Sequence, residues 1–208
     1  GEREMALAGR IADLVMSELV SHQPGEADYL TGALTRRSFR AEVDREYARA
    51  LRYERPATLI FVDIDGFQRV NTAFGAEIAE EVLKSVANRA AECLRTTDRL
   101  GRLGGEEFGM LLPETMAYEA SQCAERLREE ISGLRFRYSG KVVSVTASFG
   151  IAPFDSRLRS PIQWFAQADI ALYESKKAGR NCVSFAALPK AIDPVSEEGD
   201  PMRPLGMH

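Results

Sequence analysis

Residues 102–108 read Arg102-Leu-Gly-Gly-Glu-Glu-Phe108. Apolar residues flank the run: Leu100 before it, and Phe108 to Leu112 after it. The pattern predicts strand, tight turn, strand, with Gly104-Gly105 supplying the positive φ of a two-residue hairpin. Two adjacent carboxylates follow that turn. Negative charge on a rigid corner adds nothing to a core, but it suits a divalent cation held against nucleotide phosphates. A solvated acidic turn is the plainer reading. A second acidic strand end upstream, Val62-Asp63-Ile64-Asp65, argues against it. If the two strands are neighbours, Asp63 and Glu106 reach one point.

Upstream, Ala57–Asp63 is a continuous apolar run ending in a carboxylate, as expected of a central strand covered on both faces. Helical periodicity predicts helices over 37–53, 77–94, 118–131 and 161–177. Pro161 stands near the start of the last, where a missing N–H costs least. Strands are expected over 99–103, 107–112, 141–151 and 182–185. Helices alternate with strands, yet a hairpin lies in the middle. The class is therefore α+β, with a central, mostly antiparallel five-stranded sheet flanked by helices.

Residues 1–27 are expected to form an amphipathic linker helix and a Pro-Gly break. Leu7, Ile11, Leu14, Val15 and Leu19 make its apolar stripe. Such a helix either folds back on the domain or pairs with another subunit. Residues 28–186 form the globular domain, and 187–208, with four prolines and two glycines, an extended tail.

Composition narrows the function. The 208 residues are 45% apolar and 28% charged, with net charge -4. That charge offers no broad basic surface, so nucleic acid is not expected as a partner. Cys93, Cys123 and Cys182 lack metal-ligand spacing and read as reduced thiols. His22 and His208 are the only histidines, so a histidine-based zinc site or triad is not expected. No run reaches membrane-spanning length, so no membrane contact by this segment and a cytoplasmic location are expected. The absence of an initiator Met fits a piece cut from a longer chain, itself membrane-anchored or not.

At the site, Mg²⁺ (or Mn²⁺) would take oxygens from Asp63, the Ile64 carbonyl and Glu106. Asp65 falls on the other side of a continuing strand and reads as a hydrogen-bonding or structural residue. Glu107 is open between a second-metal and a positioning role. Gly66-Phe67-Gln68 follows the first strand, where backbone N–H groups can approach an anion. Lys176, Lys177 and Arg180 cluster where the last helix ends. There they either compensate its dipole or meet phosphate.

Five segments, in order over 28–185, carry a family resemblance. They are Asp28-Tyr-Leu-Thr-Gly-Ala-Leu-Thr-Arg-Arg37, Asp63-Ile-Asp-Gly-Phe67, Arg102 to Phe108, Ser148-Phe-Gly-Ile151, and Ala168-Asp-Ile-Ala-Leu-Tyr-Glu-Ser-Lys176 leading to Gly179-Arg-Asn181. The chain resembles the GGDEF domain of bacterial diguanylate cyclases, in its GGEEF form. The resemblance implies a sheet similar to the nucleotidyl cyclase and polymerase palm core. It implies condensation of two GTP into cyclic di-GMP and two pyrophosphates by a homodimer, under an upstream sensory or receiver domain.

Carried over, Asp63, the Ile64 carbonyl and Glu106 hold metal, and Glu107 is the second catalytic carboxylate. Gly66, Phe67, Lys176 and Arg180 contact phosphates, with Gln68 beside them. Asn71 and Glu80 meet the guanine edge. Arg95-Thr-Thr-Asp98, five residues before Gly104, resembles the family's RxxD product-inhibition site, with Arg126 assisting. The chain departs from the family where Gln68 replaces Lys, Glu80 replaces Asp, Thr72 replaces Asp and Ala76 replaces His. Thr35-Arg36 replaces Asn-Arg. No metal ligand is lost, but the substrate contacts are loosened. The resemblance therefore implies either an active cyclase with product feedback, or a weak or degenerate module that binds GTP or cyclic di-GMP and regulates a partner.

Overall fold

The structure, a computed structural model, describes residues 25–187. The linker segment expected over 1–27, apart from its last three residues, both histidines and all but the first residue of the tail lie outside them. Eight strands and five helices follow in the order β1 (Leu34–Thr35), α1 (Arg36–Tyr53), β2 (Ala57–Ile64), α2 (Phe67–Phe74), α3 (Ala76–Cys93), β3 (Arg99–Gly104), β4 (Glu107–Pro113), α4 (Ala117–Gly133), β5 (Phe136–Tyr138), β6 (Lys141–Val143), β7 (Ala147–Pro153), α5 (Pro161–Lys177) and β8 (Val183–Phe185). Among the described residues no helix is long and apolar enough to cross a membrane.

The main sheet has the order β1-β3-β4-β2-β7-β8, and β5-β6 form a separate hairpin. Its central pairings, β3-β4, β4-β2 and β2-β7, are antiparallel, while β1 and β8 join the edges in parallel. The expected α+β class holds, but the strand count does not. The sheet has six strands, because two-residue β1 pairs Leu34 with Gly101 and Thr35 with Arg102. The single strand expected over 141–151 is broken. Lys141–Val143 pairs with β5, and the chain then passes to β2 as Ala147–Pro153. The helix α2 was not anticipated either. It is only eight residues long, between Gly66 and Gly75.

All eight residues of β2 are buried, as a central strand requires. Alternation divides its neighbours. Ile60, Val62 and Ile64 pack with Phe108, Met110 and the helices α2, α3 and α4. Leu59 and Phe61 pack with Leu111 and the helices α1 and α5. By the same alternation Asp63 belongs to the α1/α5 face.

Helix α1 starts at Thr35, whose side chain accepts from the Ser38 N–H, and stops at Glu54 in the left-handed region. On this face Phe39 lies flat across two paired glycines, Gly101 of β3 and Gly109 of β4. A Cβ on either would come within 2.4–2.5 Å of the ring. Helix α5 starts at Ser160, which accepts from Gln163 N, while Gln163 Oε1 accepts from Arg159 N at 2.7 Å. Its fully buried Trp164 donates Nε1–H to the Ala152 carbonyl at 2.8 Å, fixing α5 across β7.

Candidate active site

The hairpin turn differs from its expected form by one residue. Gly104 already pairs with Glu107, with the register shifting between Arg102 and Gly104. Gly105 and Glu106 therefore make the turn, and Gly105 alone has positive φ, at 23°. The irregular register at Leu103 moves the corner forward. Arg102 holds the corner, donating Nε and Nη2 to the Gly105 carbonyl at 3.1 and 2.8 Å. Its Nη1 reaches Asp28 Oδ1 at 3.1 Å. Burial pushes the Asp28 carboxyl up, but hydrogen bonds from Thr31 and Arg102 outweigh it and hold the group below its usual range. Sequence reasoning assigned this brace no role. Both residues lie in the matching segments, but 74 positions separate them.

Strands β2 and β4 are neighbours, and Asp63 stands directly opposite Glu107. Opposed residues of an antiparallel pair share a face, so these carboxylates lie side by side. One step on, Ile64 N donates to the Glu106 carbonyl at 3.3 Å, joining the strand end to the turn. The Ile64 side chain is in the core, which leaves its carbonyl as the group it can offer.

Lys176, in the last turn of α5, donates to Asp63 Oδ2 at 2.7 Å. Burial pushes the Asp63 carboxyl above its ordinary value. Lys176 opposes the shift, and the charges of Glu106 and Glu107 reinforce it. Three carboxylates and one ammonium therefore act on one another at the end of the sheet.

Asp65 has its expected hydrogen-bonding role, but on the Asp63 side of the sheet rather than the other, because its partner Ser148 stands opposite Asp63. Oδ1 accepts from Ser148 Oγ, and Oδ2 from Thr146 Oγ1, both at 2.7 Å. Its Oδ2 also accepts the Asn181 N–H at 3.0 Å.

Gly66 adopts φ 68° and caps α2, with Phe67 buried as the first helical residue and Gln68 exposed as the second. Such a helix start points N–H groups outward, the arrangement that receives anions. Asn71 is half-buried on α2, and Thr72 donates to the Gln68 carbonyl. Glu80 is exposed on α3, 3.9 Å from Lys84. Arg180 is exposed in the loop after α5.

Arg95, Asp98 and Arg126 gather elsewhere, around the end of α3. Asp98 Oδ2 accepts the Arg95 N–H at 2.8 Å, and Arg126 Nη2 donates to the Cys93 carbonyl at 3.3 Å. The six residues of β3 separate this turn from the Gly105-Glu106 corner, about 20 Å at strand rise.

Among the described residues no three His, Cys, Asp or Glu side chains converge on one point. A metal here would rest on two carboxylates, one carbonyl and the ligand's own oxygens. That all-oxygen set fits a hard divalent cation in its usual partnership with nucleotide phosphates. The ammonium already drawn to Asp63 fits the same demand for positive charge.

Residues 26–182 match the family model described as "Diguanylate cyclase, GGDEF domain". The chain is 33% identical over 160 residues to the probable diguanylate cyclase DgcC of Escherichia coli. That match covers 77% of this chain but 43% of the relative, so the chain spans less than half its length. Among solved structures, the GGDEF domain of DgcB from Caulobacter crescentus in complex with c-di-GMP superposes with TM-score 0.75 at 30% identity, covering 79% of this chain and 94% of that one. The active GGEEF domain of a diguanylate cyclase from Vibrio cholerae superposes with TM-score 0.70 at 28% identity, covering 74% and 98%. The sheet order, the acidic hairpin opposite Asp63 and these matches agree, and the chain belongs to the GGDEF family of diguanylate cyclase domains.

Proposed function

We propose that this chain is the catalytic domain of a diguanylate cyclase. Two GTP molecules, one on each of two facing copies, condense to cyclic di-GMP. Each 3′-hydroxyl attacks the α-phosphate of the other GTP, and each attack expels pyrophosphate. The observation that carries the reading is the acidic hairpin tip beside Asp63, with Lys176 at 2.7 Å. Asp63, the Ile64 carbonyl and Glu106 hold Mg²⁺ or Mn²⁺, which when bound offsets charge on the phosphate oxygens. Glu107, on the same face as Asp63, positions the reacting hydroxyl or serves a second metal.

Backbone N–H groups at Gly66 and Phe67, with Lys176 and Arg180, bind the phosphates. Gln68 adds a neutral donor there. Asn71 and Glu80 read the guanine edge. The two facing copies supply proximity and alignment. Arg95, Asp98 and Arg126 form a separate product site that gives feedback inhibition. An upstream sensory or receiver domain sets the approach of the two copies.

A second reading has its own support. The Glu80 carboxylate is within 3.9 Å of Lys84, and Gln68 brings no charge to the phosphates. Under this reading the chain binds GTP or cyclic di-GMP and regulates a partner without turnover.

The test is incubation of the purified chain with GTP and Mg²⁺. Cyclic di-GMP is expected, and Glu106→Gln should lower its formation by about two orders of magnitude or more. No product at high protein concentration, under forced dimerisation and with bound product stripped away, would favour the regulatory module. Arg95→Ala should relieve product inhibition, and unchanged inhibition would sink the feedback site.

A further inference from the structure

The loop that carries Arg180 is conformationally costly. Gly179, Arg180 and Asn181 have φ of 115°, 65° and 48°, three successive residues in the region that favours glycine. Such a run persists only where its surroundings hold it. Here the holding bonds come from three directions. Arg180 N donates to the Ser175 carbonyl at 3.1 Å, on α5. Asn181 N donates to Asp65 Oδ2 at 3.0 Å, at the end of β2. Arg128 Nη1, from α4, donates to Asn181 Oδ1 at 3.1 Å.

Arg128 is well placed for this task. Its side chain is only 19% exposed, and its Nε donates to Glu125 Oε2 at 2.7 Å, one turn back on α4. One guanidinium edge is thus fixed to its own helix while another reaches the loop. A planar fork with donors in fixed directions can do both, and a lysine ammonium cannot reproduce it.

We infer that Arg128 is a positioning residue for nucleotide binding: it locks Asn181 and so sets where the neighbouring Arg180 meets the phosphates. The inference rests on the catalytic reading for the role of Arg180. It touches neither the metal ligands nor the hairpin.

Binding of 3′-deoxy-GTP, which lacks the attacking hydroxyl, tests it separately from turnover. Arg128→Ala should weaken that binding about tenfold. Asn181→Gly, which keeps the left-handed backbone but deletes the Oδ1 acceptor, should weaken it to a similar degree. The two losses should not multiply, because both variants remove the same Arg128–Asn181 bond. In turnover, KM for GTP should rise with kcat little changed. Unaltered affinity in both single variants would overturn the inference, and so would a double variant weakened about a hundredfold. If the parent chain binds the analogue but makes no cyclic di-GMP, the catalytic reading fails while the positioning role is still measured. If Arg128→Ala does not fold, Asn181→Gly and Arg128→Lys carry the test. Each should show the same weakening, and full affinity in both would refute the assignment.

Discussion

Gly150→Ala is expected to damage fold and site together. Gly150 lies in β7, fully covered by α5. A Cβ there would stand 2.1 Å from Leu172 N, 2.4 Å from the Ala168 carbonyl oxygen and 2.7 Å from Leu172 Cα. These are backbone atoms of a helix, so no side-chain rotation relieves them. Restoring an ordinary 3.4 Å contact from 2.1 Å lifts α5 by about 1.3 Å. The same helix sends Ser175 Oγ to the Phe149 carbonyl at 2.5 Å and Lys176 to Asp63 at 2.7 Å. A 1.3 Å lift would stretch the second to about 4 Å, beyond hydrogen-bond range.

Overpacking costs about 1–3 kcal/mol, and rigid backbone puts this case at the upper end. Two strained hydrogen bonds add roughly 1 kcal/mol each. The expected loss is therefore about 3–5 kcal/mol in urea unfolding followed by circular dichroism. Asp63 would lose its ammonium partner, so nucleotide affinity should fall in whatever fraction stays folded. A variant within about 1 kcal/mol of the parent, with unchanged nucleotide affinity, would refute the packing argument.

Two further outcomes follow from single residues. Glu46 is buried on α1, its Oε1 has no hydrogen-bond partner among the described residues, and burial pushes its carboxyl above the ordinary 4.5, with Arg49 opposing and Glu114 adding. Ionisation therefore costs more in the folded state, so this group's contribution is most favourable below pH 4.5 and is lost as pH rises through the raised value. Glu46→Gln should raise the urea midpoint at pH 7.5, and the gain should vanish below about pH 4.5. A pH-independent difference would contradict the assignment. Thr35→Ala removes the acceptor for Ser38 N at the start of α1 and should cost about 1 kcal/mol, read from the thermal midpoint. No measurable change would mean that the β1 pairing fixes the helix start by itself.

The central strand was legible because six apolar or small residues, Ala57 to Val62, run into Asp63, and only burial on both faces explains such a run. The acidic pair was legible for the opposite reason, since charge at the end of a buried strand has no packing purpose. The rest depends on distant partners. Leu34–Thr35 is a strand only because β3 lies beside it. Helix α2 has eight residues between glycines, too few for periodicity to declare itself. The turn moved to Gly105-Glu106 because of a register shift that no local residue announces. Asp65 has the structural role expected of it, but not the expected side, since alternation puts residues 63 and 65 on one face; its partners Thr146, Ser148 and Asn181 lie 81 to 116 positions away. The Arg102–Asp28 brace spans a similar gap.

Phe39 and its two glycines carry a consequence for how this chain can change. Alanine at Gly101 or Gly109 meets the ring at 2.4–2.5 Å, so either exchange is barred while the phenylalanine stays. Shrinking residue 39 alone leaves a hollow over two bare stretches of strand. Single steps therefore lead downhill from either side, and only paired exchanges cross between the two solutions. Positions 39, 101 and 109 form one unit of inheritance. A library that varies them one at a time would wrongly score each as immutable.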